Sequence, residues 1–204
     1  MIRLLVLDVD GTMTDGGVYY DANGNELKKF AIKDGAGIVL AHAAGMQVMI
    51  CTGRECEAVR RRAAELKVEY LYQDVHNKAA FLRDFMAKQG YGTGEVAYCG
   101  DDLNDLAAMA LCGFVACPAD AAPGVGARAA CRLPAAESRA QQRGAPGIEL
   151  AVIDGFGVGP AGGGIELGPG QQAVANQRFQ VDEIGVACKG GKGLVGAVPK
   201  AGGA

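Results

Sequence analysis

Five short apolar runs punctuate the first 120 residues: "IRLLVLD" (2–8), "MQVMICT" (46–52), "VEYLY" (68–72), "EVAYCG" (95–100) and "GFVAC" (113–117). Each is nearly continuous in its hydrophobicity, as expected of a strand buried on both faces. Helical stretches fall between them, at 34–45, 55–67, 77–90 and 103–111. Strands alternating with helices at this spacing predict an α/β fold, a doubly wound parallel sheet with helices on both faces. In such sheets ligands bind beyond the carboxyl ends of the strands. The polar residues placed there are Asp8 and Asp10, Thr52, and Asp101 and Asp102.

Two stretches break the pattern. "GGVYYDANGNELKKF" carries Asn23-Gly24 between strand formers, which predicts a β-hairpin at about 17–31, projecting from the site end of the sheet. Beyond residue 133 the apolar periodicity fades. Residues 144–204 hold 17 of the 32 glycines, and all six tyrosines lie before position 99. The expected organisation is a folded domain over 1–133 and a flexible Gly-rich segment over 134–204. "GFGVGPAGGG" and "GGKGL" imitate nucleotide loops, but no strand–loop–helix frame surrounds the first and no Ser/Thr follows the lysine of the second.

Composition narrows the function classes. Of 204 residues half are hydrophobic, so a sizeable core can form, and the net charge of −3 argues against nucleic acid or an anionic membrane as partner. No apolar run reaches the roughly 18–20 residues that span a bilayer. Arg3 alone, with Asp8 and Asp10 cutting the first run short, does not make a secretory signal. The expected location is cytoplasmic. Seven cysteines without a Cys-x-x-Cys pair read as small packing residues in a reducing compartment. His42 and His76 have no ligand spacing.

The acidic residues change the picture most. Residues two apart on an extended segment face the same side, so Asp8 and Asp10 can share a pocket. Close carboxylates repel, and they must hold a proton or meet a cation. "GDDLND" adds Asp101, Asp102 and Asp105 at another strand end. So much acid in one place suggests a hard divalent cation, most plausibly Mg²⁺, with phosphate as a further ligand. Thr52 and Gly53 of "CTGR" offer a hydroxyl and an exposed N–H to an anion, with a helix N-terminus following, and Lys78 offers a compensating cation. Singly, each has a plainer explanation: a turn aspartate, a capping threonine, a solvated lysine. Their ordered succession at successive strand ends favours phosphoryl transfer onto an aspartate.

The order Asp-x-Asp-Gly-Thr, Thr-Gly-Arg, Lys, Gly-Asp-Asp-x-x-Asp resembles the haloacid dehalogenase-like phosphatases. "DVDGTMTDGGVYYDANGNELKKF", "TGRECEAVRRRAAELKVEYLYQ" and "VAYCGDDLNDLAAM" resemble, more closely, the capless sugar-phosphate phosphatases of the 3-deoxy-D-manno-octulosonate 8-phosphate phosphatase family, whose near relatives act on nonulosonate 9-phosphates. The resemblance covers about residues 1–133. It implies a Rossmann-like sheet of the haloacid dehalogenase type, without a cap domain, and hydrolysis of a phosphorylated sugar acid in lipopolysaccharide or sialic acid synthesis. By the same resemblance Asp8 is the nucleophile and Asp10 the acid–base. The Asp8 and Asp101 carboxylates and the Asp10 carbonyl hold Mg²⁺. Thr52, Gly53 and Lys78 bind the phosphoryl group, Asp102 and Asp105 order the loop, and the hairpin joins a homotetramer.

The glycine-rich turn that closes the pocket in relatives is not found after "GARAACRLP". That gap keeps a non-catalytic, binding homologue among the alternatives. A phosphoryl-receiving signalling domain would need an Asp at the end of the middle strand, where "VMICTGR" has none. Arg54 offers a planar cationic fork for a sugar carboxylate, or else pairs with Glu57. By the resemblance, the nine-carbon branch carries an acidic residue directly after Thr-Gly and a lysine on the next helix; Arg54 and Glu65 stand there instead, which favours the eight-carbon substrate.

Overall fold

The computed structural model describes residues 1–133. The Gly-rich segment expected over 134–204 lies outside them. Five sheet strands stand where the apolar runs place them: β1 (Leu4–Leu7), β4 (Gln47–Cys51), β5 (Tyr70–Tyr72), β6 (Val96–Cys99) and β7 (Phe114–Pro118). With β8 (Cys131–Leu133) they form one six-stranded sheet, ordered β5-β4-β1-β6-β7-β8 and parallel at every pairing.

Alternation along β1 explains why that run had to be apolar throughout. Leu5 and Leu7 point into a core layer shared with helices α1 (Ile32–Ala43) and α2 (Glu57–Glu65). Leu4 and Val6 point the other way, into a layer shared with α3 (Lys78–Gln89), α4 (Leu106–Met109) and α5 (Pro123–Arg128). Burial on both faces leaves no position on β1 for a polar side chain. Charge can enter only past its end.

The structure departs from expectation in three places. The stretch 103–111 is split into a 3₁₀ turn (Leu103–Asp105) and the four-residue α4. The turn forms because Asp102 accepts a hydrogen bond from the Leu103 N–H at 2.7 Å. Helix α5 and strand β8 had no clear signature. Pro123–Arg128 contains two glycines, and Cys131–Leu133 is a three-residue edge strand.

The hairpin is present but slight. Strands β2 (Tyr19–Tyr20) and β3 (Glu26–Leu27) pair antiparallel, the only β-structure among the described residues outside the main sheet. Asp21 makes the turn: its Oδ1 accepts from the N–H groups of Asn23 and Asn25, both at 2.8 Å. Val18, Tyr19, Tyr20 and Leu27 are exposed. The thiols of Cys51, Cys56, Cys99, Cys112, Cys117 and Cys131 are free, and all but the half-buried Cys112 are buried. Among the described residues no helix is long and apolar enough to cross a membrane.

Candidate active site

Register places the polar residues side by side. Leu7 of β1 lies opposite Ile50 of β4 on one side and Cys99 of β6 on the other. The next residues out are therefore Asp8, Thr52 beyond Cys51, and Asp101 beyond Gly100. Asp8 is fixed by its own N–H, which donates to the Cys99 carbonyl at 2.9 Å.

Lys78 turns this row into a cluster. As the first residue of α3 it reaches inward and is buried. Its Nζ donates to Asp8 Oδ1 and to Asp105 Oδ1, both at 2.7 Å. The solvated-lysine reading is thereby excluded. Asn77 starts the helix that carries it, accepting from the Ala80 N–H at 3.0 Å.

Asp105 is completely buried and fully engaged. Its Oδ1 accepts from Lys78 and from the Tyr98 hydroxyl at 2.7 Å, and its Oδ2 from the N–H groups of Asp101 (3.2 Å) and Asp102 (3.3 Å). A carboxylate has about four acceptor sites, and here all are taken. Carboxylate oxygens of Asp8, Asp101 and Asp105 all lie within 4.8 Å of one another, a grouping suited to a metal ion. Because Asp105 is saturated, Asp8 and Asp101 are the two with capacity left for a cation.

Electrostatics supports the same division. Burial pushes the Asp8 carboxyl up to about 7, with the Asp105 charge adding to it and Lys78 opposing. Burial likewise raises Asp101 to about 6; the Thr12 hydrogen bond opposes this and the Asp105 and Asp102 charges reinforce it. Burial would depress Lys78, but its two carboxylate partners outweigh that and raise it. Three carboxylates around one ammonium leave an excess of two negative charges. A divalent cation with oxygen ligands matches that excess, so these residues fit Mg²⁺.

The other expected residues sit around this cluster. Thr52 is buried; its N–H donates to the Tyr72 carbonyl at 3.0 Å, and its Oγ1 accepts from the Arg54 N–H at 3.4 Å. Gly53 opens the loop that runs to α2, whose first residue is Glu57. The helix N-terminus thus stands several residues from Thr52 rather than directly behind it. Asp102 is exposed and caps the 3₁₀ turn. Asp10 lies at the site edge, ion-paired with Lys28. Arg54 pairs with Glu26 of the hairpin at 3.0 Å, while Glu57 is taken by Arg60.

Sequence reasoning missed Thr12, Tyr98, Lys28 and Glu26. Thr12 Oγ1 donates to Asp101 Oδ1 at 2.9 Å, joining the first loop to the third strand end. It stood within the Asp-Gly-Thr motif, where turn chemistry alone accounted for it. Tyr98 lay inside an apolar run that said nothing of its hydroxyl. Gly11 has φ +84°, and a Cβ there would overlap the Asp101 carboxylate, so glycine is required on both counts.

No family model matches the chain. Over 122 residues it is 43% identical to the 3-deoxy-D-manno-octulosonate 8-phosphate phosphatase KdsC of Escherichia coli, a match that takes in 60% of this chain and 65% of that protein. The chain thus spans just under two thirds of the length of that relative. The cobalt-bound form of the deoxy-D-mannose-octulosonate 8-phosphate phosphatase of Haemophilus influenzae superposes with a TM-score of 0.61 at 37% identity, covering 65% of this chain and 77% of that one. The enzyme of Moraxella catarrhalis, crystallised with a magnesium ion, a phosphate ion and a KDO molecule, gives 0.65 at 26% identity, covering 87% and 94%.

Proposed function

This chain belongs to the 3-deoxy-D-manno-octulosonate 8-phosphate phosphatase family of haloacid dehalogenase-like hydrolases, and from that premise we propose that it hydrolyses a phosphorylated sugar acid, 3-deoxy-D-manno-octulosonate 8-phosphate, through an aspartyl-phosphate on Asp8. One observation carries the reading: the buried Asp8–Lys78–Asp105 chain beside Asp101 and Thr52, at the ends of three adjacent central strands.

The steps follow from the side chains. Asp8 attacks phosphorus through one carboxylate oxygen while Lys78 holds the other and fixes its direction. Thr52, the Gly53 N–H and the Lys78 charge receive the phosphoryl oxygens. Asp10 gives a proton to the departing sugar oxygen, then takes one from the water that attacks the aspartyl-phosphate. Thr12 holds Asp101, and Asp105 holds Lys78 and the Asp101–Asp102 backbone. The Asp8 and Asp101 carboxylates with the Asp10 carbonyl would hold Mg²⁺. An ion held there would supply positive charge that offsets the repulsion of the two anionic reactants.

Arg54 and the exposed hairpin belong to the same proposal. Arg54 leaves part of its guanidinium in solvent beside the loop that receives phosphate, where it can meet a sugar carboxylate. The apolar hairpin surface fits a homotetramer, with the enzyme acting in the cytoplasm in lipopolysaccharide synthesis. Phosphate release from 3-deoxy-D-manno-octulosonate 8-phosphate should require Mg²⁺ and stop in excess chelator. A nonulosonate 9-phosphate preferred by tenfold or more would transfer the proposal to the nine-carbon substrate. Light scattering would test the tetramer.

A further inference from the structure

The steps above give Lys28 no role. Lys28 follows β3 on the returning arm of the hairpin, and its side chain is 1% exposed. Its ammonium contacts Asp10 Oδ1, and donates to Glu26 Oε1 at 2.7 Å. The other oxygen of Glu26 accepts from Arg54 Nη2 at 3.0 Å.

A buried ammonium has a desolvation cost that only close partners offset. Here the partners come from different elements: Glu26 from the hairpin and Asp10 from the loop after β1. Val18, Tyr19, Tyr20 and Leu27 of the hairpin face solvent, whereas the Lys28 side chain turns inward to these carboxylates. What the contact does is restrain Asp10. A carboxylate held at one oxygen by a fixed cation loses its freedom to swing, and the other oxygen keeps a constant direction. Proton transfer needs that constancy, because the group must lie within hydrogen-bond reach of the oxygen it serves.

We propose that Lys28 is a positioning residue for Asp10: anchored by Glu26, it aims the Asp10 carboxyl at the ester oxygen of the substrate. This rests on the acid–base role of Asp10 given above. The hairpin thereby becomes part of the reaction machinery as well as a surface element.

The test is leaving-group dependence of kcat/KM, which reads the step in which the ester oxygen departs. An aryl phosphate such as p-nitrophenyl phosphate releases a stable anion and needs little protonation. A primary alkyl phosphate needs the proton. K28M should lower kcat/KM for the alkyl ester about 30-fold and for the aryl ester no more than about threefold, as expected when a proton donor is misplaced. K28R, which keeps both ion pairs, should restore the alkyl rate to within about fivefold of wild type. The two substrates are compared on one preparation, so the ratio does not depend on how much protein is folded; K28Q serves if K28M precipitates. Equal losses on both esters would overturn the proposal, since a structural or substrate-binding lysine acts on both. D10N separates the premise: selective loss in D10N without selective loss in K28M removes Lys28 alone, whereas D10N without selective loss removes the acid–base role and the proposal with it.

Discussion

In the proposed reaction Asp8 faces two opposed demands. It must be ionised to attack phosphorus, yet burial and Asp105 press it to hold a proton. Lys78 and a divalent cation together would resolve the conflict. D8N keeps the shape and removes the nucleophile, so turnover should fall by several powers of ten. Since the Asp8 charge is disfavoured in the metal-free fold, D8N should not lower the Tm measured in chelator. K78M should behave in the opposite way. It strands two carboxylates in the interior, and breaking a buried pair costs about 3–5 kcal/mol. Urea unfolding in chelator would measure it. A loss below about 1 kcal/mol, the range of surface pairs, would mean Lys78 is not the counter-charge its contacts indicate.

At the scale of elements, the two ends of the sheet do different work. The carboxyl ends carry the candidate site, and the amino ends hold the frame. Gly113, just before β7, is at the amino end. A Cβ there would stand 2.8 Å from the Gly94 Cα and the Thr93 carbonyl oxygen. Both are backbone atoms and cannot swing aside. G113A should therefore cost about 1–3 kcal/mol by overpacking, seen as a lower Tm, with kcat of the folded protein unchanged. G11A belongs to the other end. Its positive φ and the Asp101 carboxylate both resist a side chain, so it should reduce Mg²⁺ affinity as well as stability, and titration calorimetry would show both. A G113A protein with impaired Mg²⁺ binding would contradict this separation.

For the whole molecule, the acidic cluster sets a pH dependence. Asp8 and Asp101 hold protons more tightly in the fold than their ordinary value of 3.8, up to about 7 and about 6. Between the unfolded and folded values the folded protein binds more protons, so its stability falls as pH rises through that window. Metal-free protein should melt higher at about pH 5 than at about pH 7.5, once other groups common to D8N are subtracted. Mg²⁺ requires the ionised form, so it should raise the Tm more at the higher pH. A D8N protein with an undiminished pH slope would exclude Asp8 as the source.

The sequence by itself determined the fold class and brought most of the candidate site into view. Continuous apolar runs have few solutions other than strands covered on both faces, and polar residues that follow such runs can only lie at the strand ends. Asp8, Thr52 and Asp101 were legible for that reason. The weak elements were not: β8 is a three-residue edge, and α5 carries two glycines, so neither has a period to read. Tertiary structure alone decided which ends are neighbours. Lys78 meets Asp8 across 70 residues of chain, Thr12 meets Asp101 across 89, and Lys28 meets Asp10 by the return of a hairpin. Spacing along a chain reports which face a residue takes within its own element. Contacts between elements depend on register and crossover, which put Cys99 and Ile50 on either side of Leu7 and so set an ammonium, a hydroxyl and three carboxylates around one point.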